Sequence, residues 1–171
     1  KDAEFSILID PSTNDELVIK GEAHLNAGLE EGGTMGLTGI YELNSGYYNM
    51  NNQFLKGKFM LVKGSTITFN GDPYNAVADV ETQYEVQTSS TGLLNTDETE
   101  TPGVSKRLPY LVILTIKGPI SKPDLAFDIR LKDNTPGLNN SLKSDIDSEL
   151  EKLRKDVSAL NKQVFSLLVI N

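Results

Sequence analysis

An all-β fold followed by one C-terminal amphipathic helix is what this sequence predicts, on three observations. Apolar residues recur at every second position from the first residues to about Leu131, the pattern of strands with one buried and one wet face. Clusters of Gly, Pro, Asn, Asp and Ser interrupt that alternation at short intervals, as a meander of antiparallel strands requires. After Pro136 the apolar spacing changes to alternating steps of four and three, which is helical.

The elements follow in order. Phe5, Ile7 and Ile9 alternate with Glu4, Ser6 and Asp10 up to the turn cluster 11–15. From Leu17 a second run carries Ala23, Leu25, Ala27 and Leu29 against Lys20, Glu22, His24 and Asn26, and stops at Glu30-Glu31-Gly32-Gly33, a hairpin signal. Met35, Leu37, Tyr41 and Leu43 share the next face, and Asn44-Ser45-Gly46 predicts a turn toward Tyr47-Tyr48-Asn49-Met50. Phe59 to Val62 is apolar on both faces, Gly64 predicts a break, and Thr66 to Phe69 alternates. Asn70-Gly71-Asp72-Pro73-Tyr74-Asn75 combines residues that accept positive φ with a proline that fixes it, so a defined connection is expected there.

The cleanest strand sets Ala78, Val80, Thr82, Tyr84 and Val86 against Asp79, Glu81, Gln83 and Glu85. Residues 88–109 are polar and acidic without a period and are expected to form a mobile loop. Two further strands place Val112, Leu114 and Ile116, then Leu125, Phe127, Ile129 and Leu131, on single faces, with Pro119 and Pro123 kept to their connection. In the helix, Ile146, Leu150, Leu153, Val157, Leu160, Val164 and Leu167 form the apolar seam, and Ser141 or Ser144 is the expected N-cap, followed by acidic residues. The expected organisation is a sheet domain over residues 1–136 and a helix over 137–171.

Composition narrows function. A chain of 171 residues with formal net charge −8 lacks the clustered Lys and Arg that phosphate backbones need, which argues against nucleic acid as a partner. No cysteine is present, so thiolate, disulfide and zinc-thiolate chemistry are absent and the redox compartment is left open. No run approaches the roughly 20 apolar residues of a membrane span, and no signal-peptide pattern opens the chain, so it is expected to be either cytosolic or a fragment of something longer. The latter is favoured because the chain opens inside a strand pattern and ends on Leu167-Leu168-Val169-Ile170.

Catalytic signals are sparse. The single histidine, His24, falls on the polar side of its strand, and no nucleophile elbow, phosphate loop, HExxH or EF-hand spacing occurs. Asp79, Glu81 and Glu85 share a strand face, but acids on a wet face are ordinary and nothing in the sequence separates their pKa values. Neither enzyme activity nor a metal or other cofactor is expected. What remains is quantity: many strands with apolar alternates and one helix to cover them. Such a sheet either fills its own core or keeps an open apolar face for lipid, peptide or protein.

The segment Leu55-Lys56-Gly57-Lys58-Phe59, continuing through Val62-Lys63-Gly64-Ser65-Thr66-Ile67-Thr68-Phe69-Asn70-Gly71-Asp72-Pro73-Tyr74-Asn75-Ala76 to Asp79 and Tyr84, resembles the C-terminal domain of the TamB family. The resemblance continues at Leu114-Thr115-Ile116-Lys117-Gly118, at Lys122-Pro123-Asp124-Leu125-Ala126-Phe127-Asp128-Ile129, and at Leu160-Asn161-Lys162-Gln163-Val164-Phe165-Ser166-Leu167-Leu168-Val169, in the same order. It is nearest to Bacteroidota-type members, and residues 88–109 and 141–158 contribute nothing to it.

That resemblance implies an elongated, U-shaped, antiparallel-rich sheet, the β-taco, with an apolar concave face. It also implies a periplasmic module of a protein anchored in the inner membrane and reaching the outer one. The implied work is phospholipid transport between the membranes and outer-membrane protein assembly beside a β-barrel partner of the TamA or BamA kind. On this sequence the groove candidates are Leu25, Leu37, Tyr41, Val80, Tyr84, Val112, Leu114, Ile116, Phe127 and Ile129, which would take acyl chains or nascent outer-membrane proteins. Ile146, Leu153, Val157, Leu160 and Val164 are the candidates for a partner-binding helix face, though the same face would serve to plug the groove or pair with a copy. The alternative to a lipid groove is a chaperone-like scaffold that binds β-barrel clients through strand edges.

Overall fold

The computed structural model of the chain describes residues 2–10, 14–29, 33–51, 56–90, 93 and 107–170. Within them lie β1 (Asp2–Asp10), β2 (Asp15–Leu29), β3 (Met35–Asn51), β4 (Lys56–Leu61), β5 (Ser65–Gly71), β6 (Val77–Ser89), β7 (Arg107–Pro119) and β8 (Asp124–Leu131), then α1 (Asn140–Arg154) and α2 (Val157–Ile170). The strands form one sheet in the order β1-β2-β3-β4-β6-β7-β8, with β5 paired to β3 and β6. The pairings from β1 to β6 for which a register is defined are antiparallel. The mainly β fold with helix at its C-terminal end is therefore as the alternation implies. The turn segments 11–13 and 30–32 lie outside the described residues, as does most of the loop expected at 88–109. The two ends of that loop are strand, since β6 reaches Ser89 and β7 begins at Arg107, where ladder pairing continues past the loss of apolar alternation.

Register shows where the sequence pattern misleads. The turn expected at Asn44-Ser45-Gly46 is absent: β3 runs unbroken from Met35 to Asn51. Lys20 pairs with Ser45 and Gly21 with Leu43, so Asn44 is an extra residue, a β-bulge in the strand. Turn-type residues served a bulge because both need backbone conformations that small or polar residues tolerate. Gly21 sits opposite this bulge, where a Cβ would lie 1.9 Å from the Glu42 carbonyl oxygen.

The expected break at Gly64 is present and adjoins the bulge. β4 and β5 both run antiparallel to β3, Met60 facing Tyr47 and Ser65 facing Leu43, so they are two halves of one strand bent at 62–64. Gly64 holds φ +96°, and its N–H donates to Leu43 O at 3.2 Å. The buried Ser65 hydroxyl donates to Val62 O at 2.8 Å. The bulge of β3 and the bend of β4–β5 thus lie side by side, next to Gly21 of β2, and form a crease in the sheet.

The connection at 70–75 is as defined as its residues imply. Asp72 caps a single 3-10 turn over Pro73–Asn75, accepting from Tyr74 N at 2.9 Å and from Asn75 Nδ2 at 2.8 Å.

The C-terminal segment is two helices where one is expected. The Lys155 and Asp156 N–H groups bond back to Lys152 and Leu153 carbonyls, closing α1, and Asp156 Oδ1 accepts from Ala159 N at 3.0 Å, starting α2. Asp156 reads as a solvated charge by spacing alone, but its side chain competes for backbone N–H groups and restarts the helix. The N-cap of α1 is Asn139, which accepts from Leu142 N at 2.8 Å, and not Ser141 or Ser144. The first turn of α1 carries no acid.

The chain packs as two compact units, one of Lys1–Gln83 with Leu114–Ala126, the other of Tyr84–Ile113 with Phe127–Asn171. The first has a core of Ile19, Tyr41, Leu43, Leu61, Ala78 and Val80, against which Leu17, Ile67, Phe69 and Ile116 pack. The second buries Val86, Leu108, Tyr110, Val112, Ile113, Ile129 and Leu131 of its strands together with Ile146, Leu150, Leu160, Val164, Leu167 and Leu168 of its helices.

Candidate functional site

The ten groove candidates divide between the two units. Leu25, Leu37, Tyr41, Val80, Leu114 and Ile116 belong to the first, and Tyr84, Val112, Phe127 and Ile129 to the second. Tyr41, Val80 and Ile116 come together in one cluster. Tyr41, Val80, Leu114, Val112 and Ile129 are buried, while Leu25, Leu37, Tyr84, Ile116 and Phe127 are half-buried. Five of the ten are therefore core.

In the second unit the apolar strand face is occupied by the chain's own helices. Phe165 of α2 meets Phe127 of β8 with ring centroids 6.4 Å apart. Ile146, Leu160 and Val164, candidates for a partner-binding face, turn inward and are buried; Leu153 is half-buried and Val157 is 65% exposed. Tyr110 is fully buried and shares a hydrogen bond with the buried Ser90 hydroxyl. Burial raises its pKa; the Ser90 bond opposes that shift and the Asp147 carboxylate adds to it.

In the first unit the apolar face stays open at one end. Paired residues of an antiparallel ladder point the same way, and here Ala23 faces Tyr41, Leu25 faces Gly39, Ala27 faces Leu37 and Leu29 faces Met35. β5 widens the row, with Ile67 beside Tyr41 and Phe69 beside Gly39. The row is graded. It begins at buried Tyr41, passes the half-buried Leu25 and Leu37, and ends with Leu29 at 79% and Met35 at 67% exposure. The row closes up at Gly39, where φ is +126° and a Cβ would stand 2.0 Å from His24 O, so the two strands meet there closer than any side chain permits.

Ala23, Ala27, Leu29, Met35 and Phe69 belong to this row, and candidate selection by strand pattern passed over them. Only the β2–β3 and β3–β5 registers put them beside Leu25 and Leu37.

The polar face offers little chemistry. Asp79 pairs with Lys117 at 3.4 Å and Glu85 with Lys132 at 2.6 Å, each pair well exposed. Thr82, on the apolar face, satisfies its hydroxyl by donating to Leu114 O at 3.2 Å. His24 is exposed beside Glu22 at 4.0 Å. Among the described residues, no helix is long and apolar enough to cross a membrane.

The family model of the TamB C-terminal domain matches residues 2–171. No curated protein and no solved structure gave a match.

Proposed function

Since the chain belongs to the TamB C-terminal domain family, a module of outer-membrane biogenesis in the cell envelope, we propose that its graded apolar row holds phospholipid acyl chains in transit between the two membranes. The observation that carries this is the passage of the row from buried Tyr41, through half-buried Leu25 and Leu37, to exposed Leu29 and Met35. A methylene laid on such a surface gains about 0.8 kcal/mol on full burial, and a smooth row offers no deep trap, so an acyl chain is held and still slides. The reading needs no catalytic group and no cofactor. It places the module in the periplasm, beside a β-barrel protein of the TamA or BamA kind.

A second reading, a scaffold that pairs strands with β-barrel clients, is favoured by one observation: β8 ends the sheet order, so one of its sides faces no strand among the described residues.

The deciding experiment is native mass spectrometry with lipid extraction on the protein purified from cells, beside a Leu29→Asp, Met35→Asp variant. Phospholipid on the parent and its loss from a variant with unchanged circular dichroism support the acyl-chain reading. No lipid on either moves the weight to strand pairing.

A further inference from the structure

Ile129 lies in β8, the last strand in the sheet order. Past the end of β8, the Lys132 N–H donates to Pro109 O at 3.0 Å, so that residue turns its backbone toward β7. Alternation then turns Ile129 the other way, with N–H and C=O both on the outer side. Two side chains hold those groups. Asp128 Oδ1 accepts from Ile129 N at 2.7 Å, and Arg154 Nη2 donates to Ile129 O at 2.8 Å. Arg154 Nε also donates to Asp128 Oδ1 at 2.7 Å, and its Nη1 to Glu151 at 2.8 Å. A guanidinium from the last turn of α1 and a carboxylate of β8 together stand where a neighbouring strand would bond.

The strand behind this guard is self-complementary. Laid antiparallel on a second copy with Ile129 opposite Ile129, β8 would set Asp128 against Arg130 and Phe127 against Leu131, each twice. The two Ile129 residues would exchange the very N–H and C=O that Asp128 and Arg154 now hold. Arg130 is already engaged with Asp128 within the strand, at 3.0 Å, and would exchange that partner for the Asp128 of the other copy.

We propose that β8 is a latent two-fold dimerisation edge, kept closed by the Asp128–Arg154 guard and opened when the end of α1 leaves β8. At Ile129, where both outward backbone groups are already bonded, an incoming strand finds no partner at the centre of the pairing, whereas an edge stripped of its guard is a template for one. The inference stands apart from lipid carriage, because it concerns residues of the second unit only.

The test is native mass spectrometry and light scattering on Arg154→Met and Asp128→Ala variants of the whole chain, with hydrogen exchange at the Ile129 amide. The expected result is at least a tenfold tighter dimer than the parent forms, and return to monomer when Arg130→Glu is added to Arg154→Met, where it sets a new carboxylate against Asp128 across the two-fold axis. Folded guard variants that stay as monomeric as the parent overturn the proposal. So does a dimer that Arg130→Glu leaves intact. Should both guard variants lose the fold by circular dichroism, Arg154→Lys, which keeps the charge but not the three-way reach, must show the same shift or the proposal falls. Lipid extraction on the same samples reads the acyl-chain surface separately.

Discussion

The hydroxyl of Ser65 accepts the Glu81 N–H at 3.1 Å while donating to Val62 O, and so fills the gap where the strand made of β4 and β5 bends. A bend in the middle of a sheet leaves a backbone donor on the neighbouring strand without its ladder partner, and here one buried side chain takes that donor up.

Ser65→Ala should therefore cost about 1–3 kcal/mol, the usual penalty for a buried donor left unmade. Urea unfolding should show a lower midpoint at unchanged slope. An unchanged midpoint would mean that water replaces the hydroxyl at the crease.

Gly39→Ala should destabilise by about 1–3 kcal/mol from backbone conformation alone, and by more once the clash with His24 O is added. Thermal unfolding followed by circular dichroism measures it. A wild-type melting temperature would show that β2 separates from β3 at this point without loss.

Val80→Asp should cost about 3 kcal/mol or more, because Val80 is buried in the Ile19, Tyr41 and Leu43 cluster and a carboxylate there has no partner. Leu29→Asp, at an exposed position, should leave stability within about 0.5 kcal/mol. Denaturation curves of the two variants compare a core position with a surface position on the same apolar face, and equal costs would show that the row is not graded.

Tyr110 makes stability depend on alkaline pH. Its pKa is raised in the folded protein, so above about 10, the ordinary tyrosine value, the unfolded chain loses its proton first. The contribution is complete below that pH and is lost as pH rises toward the folded pKa. Unfolding free energies between pH 9 and 11.5 should fall for the parent more steeply than for Tyr110→Phe. The variant should also start lower by about 1–3 kcal/mol at neutral pH, since the buried Ser90 hydroxyl loses its partner. Parallel pH curves would show that Tyr110 ionises with equal ease in both states.

Asp156→Ala removes the N-cap of α2 and should cost about 0.5–2 kcal/mol. Faster hydrogen exchange at Ala159 and Leu160 would locate the loss. Exchange left as in the parent would show that α1 and α2 can run on as one helix.

How far the sequence carries depends on the range of the interaction that decides each feature. Alternation along β6 correctly implied that Ala78, Val80 and Val86 share a buried face, because a strand's two sides are set by its own pleat. Asn44-Ser45-Gly46 misled because a turn and a bulge draw on the same residues, and only the pairing of Lys20 with Ser45 and Gly21 with Leu43 separates them. Asn139 was passed over as a cap because Ser141 and Ser144 lie closer to the apolar seam, and Asp156 because its capping bond opposes a period that continues on both sides of it.

By itself the sequence determined the fold class, the positions of most strands and the family, since these rest on residue type and on neighbours within a few positions. Which apolar residues are core and which are surface was decided by the tertiary structure. Leu25 and Val80 are alike in pattern, yet β2 carries Leu25 out toward the hairpin end while Val80 packs into the cluster of Ile19, Tyr41, Leu43 and Leu61. The guard at Ile129 was likewise beyond the sequence, because Asp128 and Arg154 are 26 residues apart and meet only once α1 has packed onto the strands of its unit. Exposure and pairing are sums over distant neighbours, and no local pattern contains them.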